Sequence, residues 1–157
     1  MKLDILVFAV HPDDAELGCS GTILRYIAEG KKVGIVDLTA GELGSRGSKE
    51  TRKVEAADAS AILGVHVRKN LGMRDGFFVN DEVHQLQLIE IIRKYRPQIV
   101  LANAIDDRHP DHGRAAALVT DAVFLAGLPK IITSDTGTEQ EAWRPKLLLH
   151  YIQDRYI

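Results

Sequence analysis

A chain of 157 residues, 45% hydrophobic and 27% charged, has the size of one compact domain and too much apolar content for bulk disorder. Its 20 basic and 22 acidic residues give a net charge of -2, which excludes the electrostatic footprint of a nucleic-acid or anionic-membrane binder. The single cysteine excludes an intramolecular disulfide and a cysteine-built zinc cluster and fits a reducing, cytoplasmic setting, and no apolar run approaches the ~20 residues that span a bilayer.

Leu3 to Val10 is a short β-rich run and predicts a strand buried on both faces. It meets His11-Pro12-Asp13-Asp14 too soon to be a signal peptide. A helical pattern follows through Leu17, Ile23, Leu24, Ile27 and Ala28, stopped by Gly30. Lys32 to Leu38 predicts a second strand, and Thr39 to Lys49, with Gly41, Gly44 and Gly47, a mobile loop. Thr51 to Leu63 predicts a helix with Val54, Ala57, Ala61 and Ile62 on one face and Gly64 as its stop. Val65 to Leu71 predicts a third strand and Arg74 to Asn80 an irregular segment. Val83 to Tyr95 predicts a helix with Leu86, Ile89, Ile92 and Arg93 at helical spacing, ended by Pro97. Gln98 to Ala102 is a fourth strand, Asn103 to Asp111 a polar loop, and His112 to Leu125 an alanine-rich helix. Thr133 to Glu141 reads as a loop and Lys146 to Ile152 as a fifth strand.

Strands alternating with helices imply right-handed crossovers and an α/β fold: a Rossmann-like, doubly wound, mostly parallel sheet with helices on both faces. Ligands of such sheets bind beyond the carboxyl ends of the strands, where strand order reverses. Two polar motifs meet that criterion. His11-Pro12-Asp13-Asp14 follows the first strand, and His109-Pro110-Asp111-His112 follows the fourth. In the common doubly wound order those strands are neighbours, so the loops face each other across one crevice.

A catalytic zinc site takes about three His or carboxylate ligands and keeps one position open. His11, Asp14 and one histidine of the second loop supply that set. Asp13 is the carboxylate left to accept a proton, and the remaining histidine stabilises an oxyanion or protonates a leaving group, held by a carboxylate such as Asp111. Taken singly, each motif also reads as a helix cap: Asp13 and Glu16 form an Asp-x-x-Glu capping box, and Pro110 and Asp111 suit a helix start. Capping does not explain histidines in both loops at adjoining strand ends.

Ala9 to Asp14 with Glu16-Leu17-Gly18, then Thr39-Ala40-Gly41-Glu42, then His109 to His112, resemble the signature of the PIG-L/LmbE-like zinc deacetylases. The likeness extends through Gly44-Ser45-Arg46-Gly47, Thr51-Arg52 and Pro145-Lys146-Leu147, and is nearest to the N-acetylglucosaminyl-malate deacetylases of bacillithiol biosynthesis. The resemblance implies Zn2+ (Fe2+ fits the same ligands) on His11, Asp14 and His112, with Asp13 as general base. It implies a protonated His109, supported by Asp111, as the oxyanion stabiliser. It implies a small N-acetylated amino-sugar substrate; a homo-oligomer is expected, and no nucleic-acid or membrane partner. Chito-oligosaccharide or GlcNAc-phosphatidylinositol is the alternative substrate, and a non-catalytic Rossmann-like module the alternative from another class. Some relatives carry a tyrosine two residues before the position of His109; here Asp107 stands there, so a tyrosine-assisted mechanism does not transfer. Members of that family continue beyond the position of Arg155-Tyr156-Ile157, so the expectation is one domain, 1–157, lacking the family's C-terminal portion.

Glu42 is a candidate for sugar hydroxyls, and Arg46, Arg52 and Arg108 are candidates for a substrate carboxylate, which suits a planar guanidinium fork. Gly18-Cys19-Ser20-Gly21 is better explained by tight packing than by phosphate binding, and Cys19 by a small helix residue than a nucleophile. His66, His84 and His150 read as structural or surface groups, and Phe77 and Phe78 as local core or an oligomer contact.

Overall fold

The computed structural model describes residues 1–153; the expectation about the C-terminal end concerns residues beyond them. Five parallel strands form the central sheet: β1 (Ile5–Ala9), β2 (Val33–Thr39), β3 (Val67–Met73), β4 (Ile99–Ala102) and β7 (Leu147–His150), in the order β3-β2-β1-β4-β7. Strand order reverses between β1, whose Ile5 pairs with Val33 of β2, and β4, whose Ile99 pairs with the same Ile5. The doubly wound α/β reading is correct, and its switch point lies where the two histidine motifs emerge.

Alternation along β1 divides the core in two. Leu6 and Phe8 face the layer of α3 (Glu82–Tyr95) and α4 (Pro110–Ala126), with Leu88, Ile92, Leu118 and Ala122. Ile5, Val7 and Ala9 face α1 (Asp14–Ala28) and α2 (Lys49–Leu63), with Ala15, Ile23 and Leu63. Every residue of β1 is buried. Arg93, buried on α3, donates hydrogen bonds to the carbonyls of Ala126, Leu128 and Ile131 and to Thr133 Oγ1, and so satisfies the C-terminal end of α4.

Several expectations need correction. The 133–141 segment holds a small hairpin, β5 (Ser134–Asp135) and β6 (Thr138–Glu139), turned through Thr136 and Gly137, both at positive φ. On α2 the buried side chains are Ala56 and Leu63, while Val54 and Ile62 are exposed. Arg68 of β3 reaches α2 there, donating to the Ala56 carbonyl at 3.2 Å. On α1 Leu17 and Leu24 are exposed and Ala15, Cys19 and Ile23 are buried. Phe78 is core, but Phe77 is exposed with the Arg74 guanidinium over its ring. Gly18 confirms the packing reading: a Cβ there would lie 2.4 Å from the Tyr151 ring, and the helix is kinked at Cys19. His66 accepts the Val33 N–H, His84 pairs with Asp81 at the start of α3, and His150 bonds to the Asn103 carbonyl. Among the described residues no helix is long and apolar enough to cross a membrane.

Candidate functional site

A cleft of about 800 Å³ opens over the carboxyl ends of β1 and β4. His11, Asp13 and Asp14 enter from the turn between β1 and α1, and Asp107, His109, Asp111 and His112 from the loop between β4 and α4. The three imidazoles pack together, with ring centres 4.9 Å apart for His11–His109 and His109–His112 and 5.7 Å for His11–His112.

Local structure fixes each group. Asp13 occupies the N-cap of α1 but makes no side-chain capping bond, so the capping box is not formed and half its side chain is exposed. Its Oδ2 stands 3.5 Å from Arg52 Nη1. Burial, then the negative charge of Asp14, raise the Asp13 carboxyl above its ordinary value, with Arg52 and His11 pulling the other way. His109 is the N-cap of α4, and its Nδ1 accepts the Asp111 N–H at 3.3 Å. That bond leaves the ring proton on Nε2. Burial, then the neighbouring His11 and His112, lower the His109 pKa. The Asp111 carboxylate accepts from the Gly76 N–H at 2.8 Å and pairs with Arg114, so it anchors the neighbouring turn while its backbone holds His109.

Asp14 is the most constrained group. Oδ2 accepts from the Val10 N–H (3.1 Å), the His11 N–H (3.0 Å) and Asn103 Nδ2 (3.0 Å), and Oδ1 from Gln153 Nε2 (2.8 Å). Burial alone would raise its carboxyl, but hydrogen bonds and charge from His11, His112 and Gln153 outweigh that and hold it well below the usual carboxylate range. His11 Nδ1 lies 3.5 Å from its Oδ2 and His112 Nε2 lies 3.4 Å from its Oδ1. For both rings burial favours the neutral form, but Asp14, with Asp75 beside His11 and Asp107 beside His112, raises the pKa above the ordinary value.

Two sets of side chains bring potential metal-ligating atoms within 4.8 Å of one another: His11, Asp14 and His112, and His11, His109 and Asp111. The second set has its donors committed, His109 Nδ1 to a backbone N–H and Asp111 to Gly76 and Arg114. The first set keeps one nitrogen of each ring directed at the same ionised carboxylate. Two imidazoles and a carboxylate facing one cleft are a donor set suited to a zinc-class ion.

Arg52 and Arg108 line the cleft, and Arg46 lies on an adjoining hollow with Asp13 and Glu55. Arg52 packs where Gly41 and Gly44 leave room; a Cβ at Gly44 would lie 2.6 Å from its Nη2. Glu42 does not line the cleft: its Oε1 accepts the Asp75 N–H at 2.9 Å. Sequence reasoning missed Asp75, Asn103 and Gln153. Asn103 is the first residue past β4, and Asp75 lies just past β3 beside Gly76, at positive φ, so both obey the strand-end criterion that singled out the histidines.

The doubly wound sheet with a His/Asp cluster at its switch point defines a candidate metal-binding α/β domain. The chain belongs to the PIG-L family, described as GlcNAc-PI de-N-acetylase, whose pattern matches residues 6–123. It is 33% identical over 141 residues to a diacetylchitobiose deacetylase of Thermococcus kodakarensis, covering 83% of this chain and 53% of that protein. It is 30% identical over 170 residues to a 1D-myo-inositol 2-acetamido-2-deoxy-alpha-D-glucopyranoside deacetylase of a Nocardioides species, covering 80% of this chain and 55% of that one. The crystal structure of the conserved protein TT1542 from Thermus thermophilus superposes with a TM-score of 0.89 at 46% identity, over 99% of this chain and 68% of that one. The chain thus spans about half the length of these two curated relatives.

Proposed function

We propose that this chain is a metal-dependent N-deacetylase that hydrolyses the acetamide of an N-acetylglucosaminyl compound. The observation that carries the reading is the convergence of His11, Asp14 and His112 beside a half-exposed Asp13 that caps nothing. The relatives' names, two of them amino-sugar deacetylases, support the reaction class.

His11, Asp14 and His112 would hold the ion, proposed as Zn2+ with Fe2+ as the alternative. When bound, such an ion supplies Lewis acidity and a nucleophile at neutral pH. Asp13, its pKa raised toward working pH, accepts the proton lost by the attacking water. His109 offers Nε2–H to the oxygen of the acetamide carbonyl as negative charge develops there, and its Nδ1 bond to the start of α4 fixes the ring's tautomer. Asp111 acts through its backbone on His109 and through its carboxylate on the Gly76 turn.

For the substrate we favour N-acetylglucosaminyl-malate. Arg52 and Arg108 on the cleft wall suit a carboxylate-bearing aglycone. A chito-oligosaccharide is the second reading, favoured by the likeness to the Thermococcus kodakarensis protein. Glu42 bonds to the Asp75 N–H beside the cleft, and Arg46 lines an adjoining hollow that shares Asp13 and Arg52 with it. Steady-state kinetics of the zinc-loaded chain on N-acetylglucosaminyl-malate and on diacetylchitobiose test both statements. Acetate release from neither overturns the deacetylase reading, and a larger kcat/KM on diacetylchitobiose overturns the malate assignment.

A further inference from the structure

On α2 the residues Lys49, Lys53, Ala56, Ala57 and Ser60 follow helical spacing and share a face. That face does not close on the sheet. Between it and strands β2 and β3 lies a hollow of about 570 Å³, a volume within the range of small-molecule sites. The hollow shares no lining residue with the histidine cleft, although Pro12 of the β1–α1 turn forms part of its wall.

The polar groups at its base satisfy one another. Both Asp37 oxygens accept from Arg68, whose remaining nitrogen donates to the Ala56 carbonyl and to Ser60. Ser60 Oγ donates to the same carbonyl, and Asn70 to the Thr39 carbonyl. The Asp37 and Arg68 side chains are only 3% and 10% exposed, so the base is built into the fold. The surface left to an occupant is apolar and short-sided: Pro12, Ala40, Ala56 and Ala57. Lys49 and Lys53 stand exposed at one end, one helical turn apart. Neither is in an ion pair among the described residues, although Lys49 acts on its exposed neighbour Glu50. Lys69 contributes main chain, because strand alternation turns its side chain to the opposite face with Val67 and Leu71.

An ammonium group is a compact charge that suits phosphate, whereas a planar carboxylate is better matched by a guanidinium fork. Two ammonium groups one turn apart can share the oxygens of one phosphate. We infer that this hollow is a second ligand site, for a small phosphate monoester with a flat apolar body. The body lies against Pro12, Ala40 and the alanines of α2, and the phosphate meets Lys49 and Lys53. The site does not depend on the metal reading. Its α2 wall is the helix that brings Arg52 within 3.5 Å of Asp13, so it backs onto the proposed general base.

Calorimetric titration of the full chain with naphthyl phosphate, in low-salt buffer free of inorganic phosphate and added metal, tests the assignment. One molecule should bind per chain with a Kd of about 1 mM or tighter. Inorganic phosphate and naphthol, each lacking half of the probe, should bind at least about ten-fold more weakly. The Lys49→Ala, Lys53→Ala double variant should lose about ten-fold in affinity for naphthyl phosphate. Ala57→Trp, which fills the hollow, should lose binding altogether. Both lysines are exposed, so the double variant keeps the test decisive if Ala57→Trp fails to fold. Arg108→Ala, on the wall of the histidine cleft, should bind the probe as the unmutated chain does. No binding of naphthyl phosphate up to about 10 mM overturns the inference. Equal affinity for inorganic phosphate also overturns it, because the lysines alone would then hold the anion. So does affinity lost in Arg108→Ala and kept in the lysine variant, which would put the probe in the histidine cleft.

Discussion

Asp13 and Asp14 are adjacent and chemically identical, yet their surroundings drive them apart. Asp14 is buried beneath four donors and stays ionised, whereas Asp13 is half exposed, beside Arg52, with its carboxyl raised by burial and by Asp14. Asp13→Asn should therefore keep its metal content by elemental analysis and lose about 10²–10⁴-fold in turnover. Its melting temperature should barely move, because no capping bond is lost. Metal loss in Asp13→Asn with retention in Asp14→Asn would exchange their roles. The histidines give a pH prediction. Protonation of His11 and His112 competes with metal, and their carboxylate partners raise both rings above 6.5 in the free protein. Zinc affinity should thus fall as pH drops, beginning above pH 6.5 and accompanied by proton release on binding. Zinc titrations at several pH values check this; an affinity flat down to pH 6 contradicts it. The residues of the two motifs were legible because the ligand chemistry is written in contiguous runs. Asp75 was not: its partner His11 lies 64 positions away, and a lone aspartate in an irregular segment carries no periodicity or spacing.

Between elements, the Arg68 guanidinium joins four of them. It makes a two-pronged pair with Asp37 of β2 at 2.9 and 3.0 Å, pairs with Glu16 of α1, and bonds to the Ala56 carbonyl of α2 from its own place on β3. Burial raises the Asp37 carboxyl, and the guanidinium opposes that rise. Removing the cation leaves a buried acid without compensation, a change that typically costs about 3–5 kcal/mol. Arg68→Ala should lower stability by about that much in urea denaturation, with the loss growing as pH rises through about 6, where the paired Asp37 ionises. A loss below about 1 kcal/mol would show that the pair is merely superficial. A different defect is expected at the kink of α1. Gly18→Ala drives a methyl into the Tyr151 ring, whose hydroxyl donates to the buried Phe8 carbonyl, and overpacking of this kind costs about 1–3 kcal/mol. Helix existence was readable from apolar spacing and stops such as Gly64, at φ 73°. The buried face of α2 was not, since Val54 and Ile62 fit the helical period as well as Ala56 and Leu63 do. Tertiary packing against the sheet, which the period does not encode, buries Ala56 and Leu63.

At the scale of the molecule, the strand order β3-β2-β1-β4-β7 puts two loops about a hundred residues apart in sequence on one crevice. This was the most legible feature, because right-handed parallel crossovers leave few topologies and the switch point follows from them. The shape of the cleft wall was less so: three arginines had equal standing in the sequence, and folding separates them. Arg46 goes to the adjoining hollow, while Arg52 and Arg108 face the cleft. The two that remain are not equivalent, and their variants should differ. Arg52 stands 3.5 Å from Asp13 and pulls the pKa of that carboxyl down. Arg52→Ala should therefore change kcat for every substrate and shift the acidic limb of the pH profile upward, since Asp13 would protonate at higher pH. Arg108 lines the cleft, and that position suits a substrate carboxylate. A charge-assisted contact of that kind is worth about 1.5–3 kcal/mol. Arg108→Ala should then lower kcat/KM for N-acetylglucosaminyl-malate by roughly 10–100-fold, mainly through KM, and leave diacetylchitobiose almost unaffected. Kinetics of both variants on both substrates separate the roles. Equal losses on the two substrates in Arg108→Ala would mean that this side chain shapes the cleft and reads no carboxylate.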